Sequence, residues 1–264
     1  MNIYLREMKA HYKSVLIWAV AMFFLITAGI TKYNVGVTTG MDSFTELMKD
    51  LPQSLQNLFG VGVLNVSDIV EYFGILYLYL QLVLAIQACM LGTDIITKEE
   101  RDKTTEFLLV KPVSRTRIIT AKILAGLTIV FVLNAFTWVS TNVILGAYTK
   151  KPYAEDIFHL MIALLALQIL FFFLGTVIAT SIKKYKLASP IATGILMIMF
   201  LLSVIIDISG KINFLYGLSF FKYYDAKDIL VRGYHYIYAI LTVILSIIFL
   251  IGTYYFYRKR DMRI

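Results

Sequence analysis

Residues 157–182 read IFHLMIALLALQILFFFLGTVIATSI, and these 26 positions contain no Asp, Glu, Lys or Arg. A bilayer's hydrocarbon core is crossed by about 20 residues of α-helix, so this run is long enough to span it. A soluble protein has little use for so long an apolar helix. The stretch therefore predicts a membrane-spanning helix.

Five more charge-free runs of 18 to 27 residues surround it: 14–31, 72–93, 123–149, 187–206 and 233–257. A seventh run, 51–67, contains Pro52 and several Asn and Gln side chains. Because unpaired amides are costly to bury in hydrocarbon, we do not expect that run to span. The sequence predicts an all-α membrane protein with six transmembrane helices in a single domain, at 14–31, 72–93, 118–148, 157–182, 187–208 and 234–257.

The overall composition excludes the other broad classes of protein. Of 264 residues, 59% are apolar and 16% are charged, against about 45–50% and about 25% in soluble domains. Mean hydropathy is +0.75, which also excludes a disordered chain. Cys89 is the only cysteine, so neither a disulfide framework nor a cysteine-based zinc site is possible.

The distribution of Lys and Arg predicts the orientation of the chain. With both termini in the cytoplasm, 17 of the 25 basic residues fall on the inner side. Since cytoplasmic loops collect basic residues, we expect an N-in, C-in topology. The net charge of +8 then follows from topology, and we predict no nucleic-acid partner.

Residues 1–13 precede the first span and have two interpretations. Tyr4, Leu5, Met8 and Tyr12 fall on one helical face, which favours an interfacial amphipathic helix. The alternative is a basic flank that only sets orientation. The sequence favours neither.

The chain lacks the motifs of an enzyme. It has no phosphate-binding GxxxxGK[ST] loop, no metal-binding histidine spacing and no GxSxG nucleophile. Carboxylates at mid-membrane depth, which ion-coupled carriers use, are also missing from the predicted spans. We therefore predict no catalytic residue, no metal site and no cofactor in this chain.

Polar side chains within the predicted spans are candidates for a transport path: Gln81, Gln87, Asn134, Asn142 and Gln168. The other interpretation, which we favour, is that they form hydrogen bonds between helices.

The segment 94–122 reads DIITKEERDKTTEFLLVKPVSRTRIITAK and combines charges of both signs with an apolar Phe-Leu-Leu. Thr97-x-x-Glu100 has the spacing of a capping box, unless the preceding helix simply continues. Thr104 or Thr105 can cap a second short helix that ends at Pro112, and Ser114 can cap the next span. Such a transverse helix suits either docking to a partner or lying among lipid headgroups, and the residues alone do not decide.

This segment resembles the corresponding loop of ABC-2 type permeases, the membrane subunits of one class of ABC exporter. The family pattern is ExxxGTxExLLxxPxSR followed by a basic residue. The matching positions are Glu99, Thr104, Glu106, Leu108, Leu109, Pro112, Ser114, Arg115 and Lys122. Lys103 stands where the family usually has Gly, a residue that permits positive φ. Residues 50–60 and 218–233 also resemble the family.

The resemblance implies that the cytoplasmic loop 94–117 contains a coupling helix. This helix would dock on a separate ATP-binding subunit, which holds the ATP and Mg. The implied docking residues are Glu99, Glu100, Arg101, Thr104, Glu106, Phe107, Leu108 and Leu109, with Pro112, Ser114 and Arg115 at the loop end and the start of the third span.

The resemblance further implies a second permease subunit, which would be an identical copy or a close paralogue. It also implies outward movement of an amphipathic or lipophilic cargo such as a peptide, an antimicrobial or a lipid, in a bacterial inner membrane. An ion-coupled secondary transporter and a non-transporting scaffold or sensor remain the alternatives.

Two outer loops are predicted, at 32–71 and 209–233. The first has the periodicity of two short amphipathic helices, which would form either a lid or a cap on the helix ends. In the second, the family resemblance implies short re-entrant helices and an outer gate at Phe220, Phe221, Tyr223, Tyr224 and Asp225. The same aromatic residues also fit a membrane-interface belt.

Overall fold

The computed structural model describes residues 3–38, 52, 68–104, 114–209 and 213–259, and these residues are helical throughout apart from short connections. Two 3₁₀ helices, η1 (Asn213–Leu218) and η2 (Phe220–Tyr224), lie between the fifth and sixth α-helices. The α-helices of the described residues are α1 (Ile3–Thr38), α2 (Ile69–Arg101), α3 (Arg115–Tyr148), α4 (Ala154–Ser181), α5 (Tyr185–Ser209), α6 (Ala226–Arg232) and α7 (Tyr236–Lys259). All except the short α6 are long and apolar enough to cross a membrane, which agrees with the six predicted spans.

Helix α4, which carries the 157–182 run, lies at the centre of the bundle. It packs against α2, α3, α5 and α7. Of its most apolar 18-residue window, 67% is buried within the chain, compared with 11% for α7. The central position explains why α4 is apolar on every side.

Two glycines bring α2 and α4 into backbone contact. A Cβ atom on Gly175 would lie 2.3 Å from the carbonyl oxygen of Cys89, and one on Gly92 would lie 2.3 Å from that of Phe172. No side chain fits at such distances. Small residues thus permit a close crossing of α2 and α4, as in other membrane helix pairs.

The N-terminal residues do not form a separate element. Residues 3–13 continue without a break into the first span as part of α1. No Gly or Pro occurs between Ile3 and Ala28, so nothing in this stretch interrupts the helical hydrogen bonds. Within this stretch Glu7 and His11 are buried in the bundle, whereas Leu5 and Tyr12 of the predicted interfacial face are exposed on its outside.

Helix α2 extends further than predicted. Residues 94–101, which we assigned to the loop, are helical, and the Thr97 hydroxyl bonds the Thr93 carbonyl within the helix. The continuing-helix alternative is therefore correct and the capping box at Thr97 is wrong. The helix ends where the Thr104 N–H bonds the Glu99 carbonyl at 2.9 Å and Lys103 adopts a φ of +54°.

This ending is a Schellman-type cap, in which the left-handed position usually holds Gly. Lys103 occupies that position here. At the next helix, Ser114 caps α3 as predicted, since its Oγ accepts a hydrogen bond from the Arg117 N–H at 3.3 Å.

The outer ends of α1 and α2 shorten the predicted loop 32–71. Helix α1 continues to Thr38, and α2 begins at Ile69 with the Asp68 carboxylate as its N-cap. The two short helices predicted between them, as a lid or a cap, lie outside the described residues, apart from the exposed Pro52.

Candidate functional site

Three helices meet at the end of the bundle that holds the N-terminus. They are the first turns of α1, the last turns of α2 and the first turns of α3. Charged side chains fill the space between them. We call this group the ionic cluster; its members are Arg6, Glu7, Lys98, Glu99 and Lys122.

Lys122 lies at the centre of the ionic cluster. Its side chain is fully buried, and its Nζ donates hydrogen bonds to Glu99 Oε2 at 2.7 Å and to the Ile95 carbonyl at 2.5 Å. Glu7 Oε1 lies 3.8 Å from the same Nζ. One lysine of α3 therefore holds a carboxylate of α1 and another of α2.

The remaining two cations complete the ionic cluster from its rim. Lys98 Nζ lies 3.3 Å from Glu7 Oε2, and Arg6 Nη2 lies 3.3 Å from Glu99 Oε1. Both carboxylates therefore pair with more than one cation. Charges buried in this way are stable only when they are paired.

A second chain of ionisable side chains continues from Glu7 along α2. His11 lies 3.9 Å from both Glu7 and Asp94, and Asp94 pairs with Arg101, the last residue of α2, about two helical turns further on. The end of α2 is thus bonded to α1 over two helical turns.

The ionic cluster fixes three helix ends to one another. Removing one partner from a buried ion pair typically destabilises a protein by about 3–5 kcal/mol. Separating the ends of α1, α2 and α3 would break several such pairs at once. We therefore expect them to move as one body.

The predicted docking residues fall into two groups. Glu99 is only 4% exposed and lies within the ionic cluster, whereas Glu100 and Thr104 are half-buried and Arg101 is exposed. Glu106, Phe107, Leu108, Leu109 and Pro112 lie outside the described residues. Across the loop, Arg115 donates a hydrogen bond to the Arg258 carbonyl at 3.2 Å, which ties the start of α3 to the end of α7.

Most of the polar residues in the spans bond to other parts of the bundle. Gln81 donates to the Tyr224 carbonyl at 2.6 Å, and Asn134 donates to Gln168 Oε1 at 3.0 Å. Asn142 bonds within its own helix, to the Trp138 carbonyl at 2.8 Å. Gln87 differs, because its buried amide oxygen has no hydrogen-bond partner among the described residues.

The aromatic residues before α6 are buried. Phe220, Phe221, Tyr223 and Tyr224 are at most 6% exposed, and Phe221 packs its ring against Phe171 of α4. The membrane-interface belt is therefore wrong for these four residues. The cause is the fold of η1, η2 and α6, which turn back into the bundle and pack against α2, α4 and α5.

A second set of buried charges holds these short helices. Lys222 Nζ lies 2.6 Å from both Asp207 Oδ1 and Asp225 Oδ2, and Lys227 lies 3.4 Å from Asp207. We call these four residues the Lys222 cluster. Asp225 also caps α6 by accepting a hydrogen bond from the Lys227 N–H.

The Lys222 cluster shifts the pKa values of Lys222 and Asp225. Burial alone would lower the pKa of Lys222, but the Asp225 and Asp207 charges outweigh it and raise the pKa. Burial alone would raise the pKa of Asp225, but the Lys222 and Lys227 charges hold it below its ordinary value. Both groups stay charged at neutral pH.

Sequence reasoning missed Glu7 and Lys98. Glu7 sits in a basic stretch, and its partners Lys98 and Lys122 are 91 and 115 positions away. Its only local signal is its place one helical turn before His11, on the face that α1 buries.

The whole chain was also compared with known proteins. Residues 1–262 match a family described as ABC-2 family transporter protein. The chain belongs to the ABC-2 transporter family. A search of curated proteins returned no match. As an ABC-2 family member it is a multi-pass membrane component rather than the ATPase, and proteins of this family normally work with an ATP-binding subunit.

Proposed function

We propose that this ABC-2 protein is the permease subunit of an ATP-driven exporter. A separate subunit binds and hydrolyses ATP with Mg, and this chain provides the membrane path. Six membrane-spanning helices and the family match support the membrane role. Residues 102–114 join α2 to α3 on the cytoplasmic side, and together with the last residues of α2 they dock on that subunit; we call 102–114 the docking segment.

The ionic cluster is the observation that carries this proposal. Helix α2 extends to Arg101, directly before the docking segment, and its last turns are bonded to α1 and α3 through Glu7, Glu99 and Lys122. A displacement of the docking segment therefore moves α1, α2 and α3 together. A loose linker among headgroups would need no buried ion pairs at its base.

The docking residues have different tasks in this arrangement. Phe107, Leu108 and Leu109 form the apolar anchor, while Glu100, Arg101, Thr104 and Glu106 form the polar rim, as in other protein interfaces. Glu99 lies in the last turn of α2 and does not belong to the rim; its ion pair with Lys122 holds the start of the docking segment to α3. Pro112, Ser114 and Arg115 fix the segment's other end, where Ser114 caps α3.

Transport follows from movement of these helices. Closure of the ATP-binding subunits displaces the docking segment, and the bonded ends of α1, α2 and α3 tilt with it. The assembly contains two permease subunits, either identical or paralogous, with a path between them that opens outward. The aromatic residues of η2 and Asp225 gate its outer end, and the cargo is amphipathic or lipophilic.

A photocrosslinking experiment in native membranes tests the proposal. Benzoylphenylalanine replaces Leu108 in the docking segment, and in a control chain it replaces Leu218, which is 59% exposed near the start of η2. We expect Leu108→benzoylphenylalanine to give one adduct, with a protein that carries a GxxxxGK[ST] motif, and the control to give none. An adduct pattern shared by both positions, or lipid adducts only, would contradict the docking assignment.

A further inference from the structure

A cavity of about 540 Å³ lies beside the ionic cluster, within a single chain. Its walls are the first half of α1, the second half of α2 and the first turn of α5, with Ile129 of α3 at the back. The lining runs along α2 from Gln87 to Arg101, a length of about 21 Å at about 1.5 Å per residue. Its size suits a drug-sized molecule or a short peptide segment, since such ligands occupy roughly 300–1,000 Å³.

The two ends of this cavity differ in chemistry. Arg101, Asp94 and Lys186 line the end near the helix termini. Apolar side chains, Trp18 and Leu91 among them, line the deeper end around Gln87. An occupant must therefore have a polar end and an apolar body.

At the deeper end, Gln87 requires a hydrogen-bond donor from any ligand that fills the cavity. Its side chain is 4% exposed, and its Oε1 atom has no hydrogen-bond partner among the described residues. A buried amide oxygen without a partner is costly, so native proteins usually pair it. The terminal torsion of a glutamine is broad, so a small rotation lets this oxygen accept a hydrogen bond from a molecule in the cavity.

We propose that this cavity binds an amphipathic amide or amine, with its N–H donated to Gln87 and its polar end beside Asp94 and Lys186. The proposal rests on the proposed function in taking this ligand as the class of molecule exported. It places an entry site inside each subunit, next to the helices that the docking segment moves. His11 and Asp94 line the cavity and adjoin the ionic cluster. Through these two residues, ATP-driven movement of the helices would change the shape of the cargo site.

The two tryptophans of the chain allow a direct binding test. Trp18 lines the cavity, while Trp138 lies on α3 and is not among its lining residues. The Trp138→Phe chain retains only Trp18, so its fluorescence reports on the cavity. The Trp18→Phe chain retains only Trp138 and is the matched control. Both are placed in lipid nanodiscs of phosphatidylethanolamine and phosphatidylglycerol and titrated with N-octyl dansyl sulfonamide, which carries one N–H and one alkyl chain.

We expect saturable energy transfer from Trp18 to the dansyl group, displaced by unlabelled decanamide, and only linear, unsaturable transfer from Trp138. In the Trp138→Phe background, Ser14→Phe should abolish saturable transfer by filling the cavity. Ile17→Phe, on the exposed side of the same helix, should leave it unchanged. Gln87→Leu should weaken binding about tenfold through the lost hydrogen bond, without lowering the unfolding temperature, because the amide oxygen has no partner to lose.

Equal saturable binding by the Ser14→Phe and Ile17→Phe chains would overturn the site. Saturable transfer with dansyl-phosphatidylethanolamine that decanamide fails to displace would overturn the ligand class, since the cavity would then hold a bilayer lipid. The titration uses neither ATP nor an ATP-binding subunit. A negative result therefore bears on the cavity alone, and a failed crosslink at Leu108 bears on docking alone.

Discussion

Lys122 of α3 and Glu99 of α2 form a buried ion pair, with 2.7 Å between Nζ and Oε2, at the base of the segment that joins their helices. Lys122 is 0% and Glu99 4% exposed. Glu7 of α1 lies 3.8 Å from the same Nζ. The pair connects the docking segment to the membrane-spanning bundle.

Replacing Lys122 by Met should strongly destabilise the chain. The change leaves two carboxylates, Glu7 and Glu99, buried beside an apolar side chain, a defect of about 3–5 kcal/mol. Adding Glu99→Gln should restore part of this loss, because one uncompensated charge is removed. Denaturant unfolding of detergent-purified chains measures both effects.

Lys151→Met provides the control for that experiment. Its Nζ also pairs with a carboxylate, Asp68, at 2.8 Å, but the lysine side chain is 69% exposed. Water screens such an exposed pair, so this variant should unfold almost like the parent chain. Equal losses for Lys122→Met and Lys151→Met would show that the ionic cluster is not a buried site.

Gly175→Ala should destabilise the crossing of α2 and α4. The new methyl group would lie 2.3 Å from the Cys89 carbonyl oxygen, so the two backbones must separate, at a cost of about 2 kcal/mol or more. Gly194→Ala in α5 is the matched control. No atom of the described residues lies within 4 Å of its added Cβ.

In the control, alanine's higher helix propensity should leave stability equal or up to about 1 kcal/mol higher. Unfolding curves of both variants, recorded in one detergent, decide the comparison. A Gly175→Ala chain as stable as the Gly194→Ala chain would refute the close crossing.

Lys103→Gly should keep or increase stability, because the residue has a φ of +54°. A non-glycine residue in this left-handed conformation is strained by about 1–2 kcal/mol, which exceeds the entropy that glycine loses on folding. Lys103→Val should destabilise the same turn, since β-branched residues fit it worst. The Schellman-type ending of α2 predicts that the unfolding temperature falls from Lys103→Gly through the parent chain to Lys103→Val. An unfolding temperature that rises in that order would contradict it.

The Lys222 cluster should make stability depend on pH at the acid and alkaline extremes and leave it unchanged near neutral pH. The pKa of Asp225 lies below its ordinary value of 3.8, so its contribution is complete above that pH and is lost as pH falls through the lower, folded-state pKa. The pKa of Lys222 is raised, so the lysine's contribution is complete below its ordinary value of 10.5 and is lost as pH rises through the higher, folded-state pKa.

Asp225→Asn tests this behaviour, because Asn still caps α6 but has no charge. The difference in unfolding free energy between parent and variant should stay constant from about pH 5 to about pH 9 and shrink below about pH 4. A difference that grows on acidification would contradict the ion pair.

The sequence predicts the number of spanning helices well because charge is excluded from hydrocarbon, and each of the six runs reports that exclusion directly. It predicts helix ends poorly, since α1 and α2 extend past the apolar runs into charged residues such as Lys98 and Arg101. Nothing in a local pattern separates a charged helix extension from a charged loop. The end of α2 is marked instead by the left-handed backbone conformation of Lys103, which its residue type does not predict.

The candidate site is less predictable for a different reason. Glu99 and Lys122 are found through the family pattern, but their contact with Glu7 depends on how α1 packs on α3. The same limit applies to Phe221, whose composition fits a membrane interface and whose position is buried against α4. Tertiary packing decides which polar residues are buried, and a single sequence does not contain it.

Co-purification of this chain from native membranes tests the central claim most directly. The parent chain, Leu108→Ala/Leu109→Ala and the control Leu218→Ala are tagged, expressed at matched levels and isolated in mild detergent, and their partners are identified by mass spectrometry. We predict that the parent and the control carry a protein with a GxxxxGK[ST] motif and that the double variant loses it while keeping its own unfolding temperature. A chain isolated without such a protein, or a double variant that retains it in full, would contradict docking through this segment.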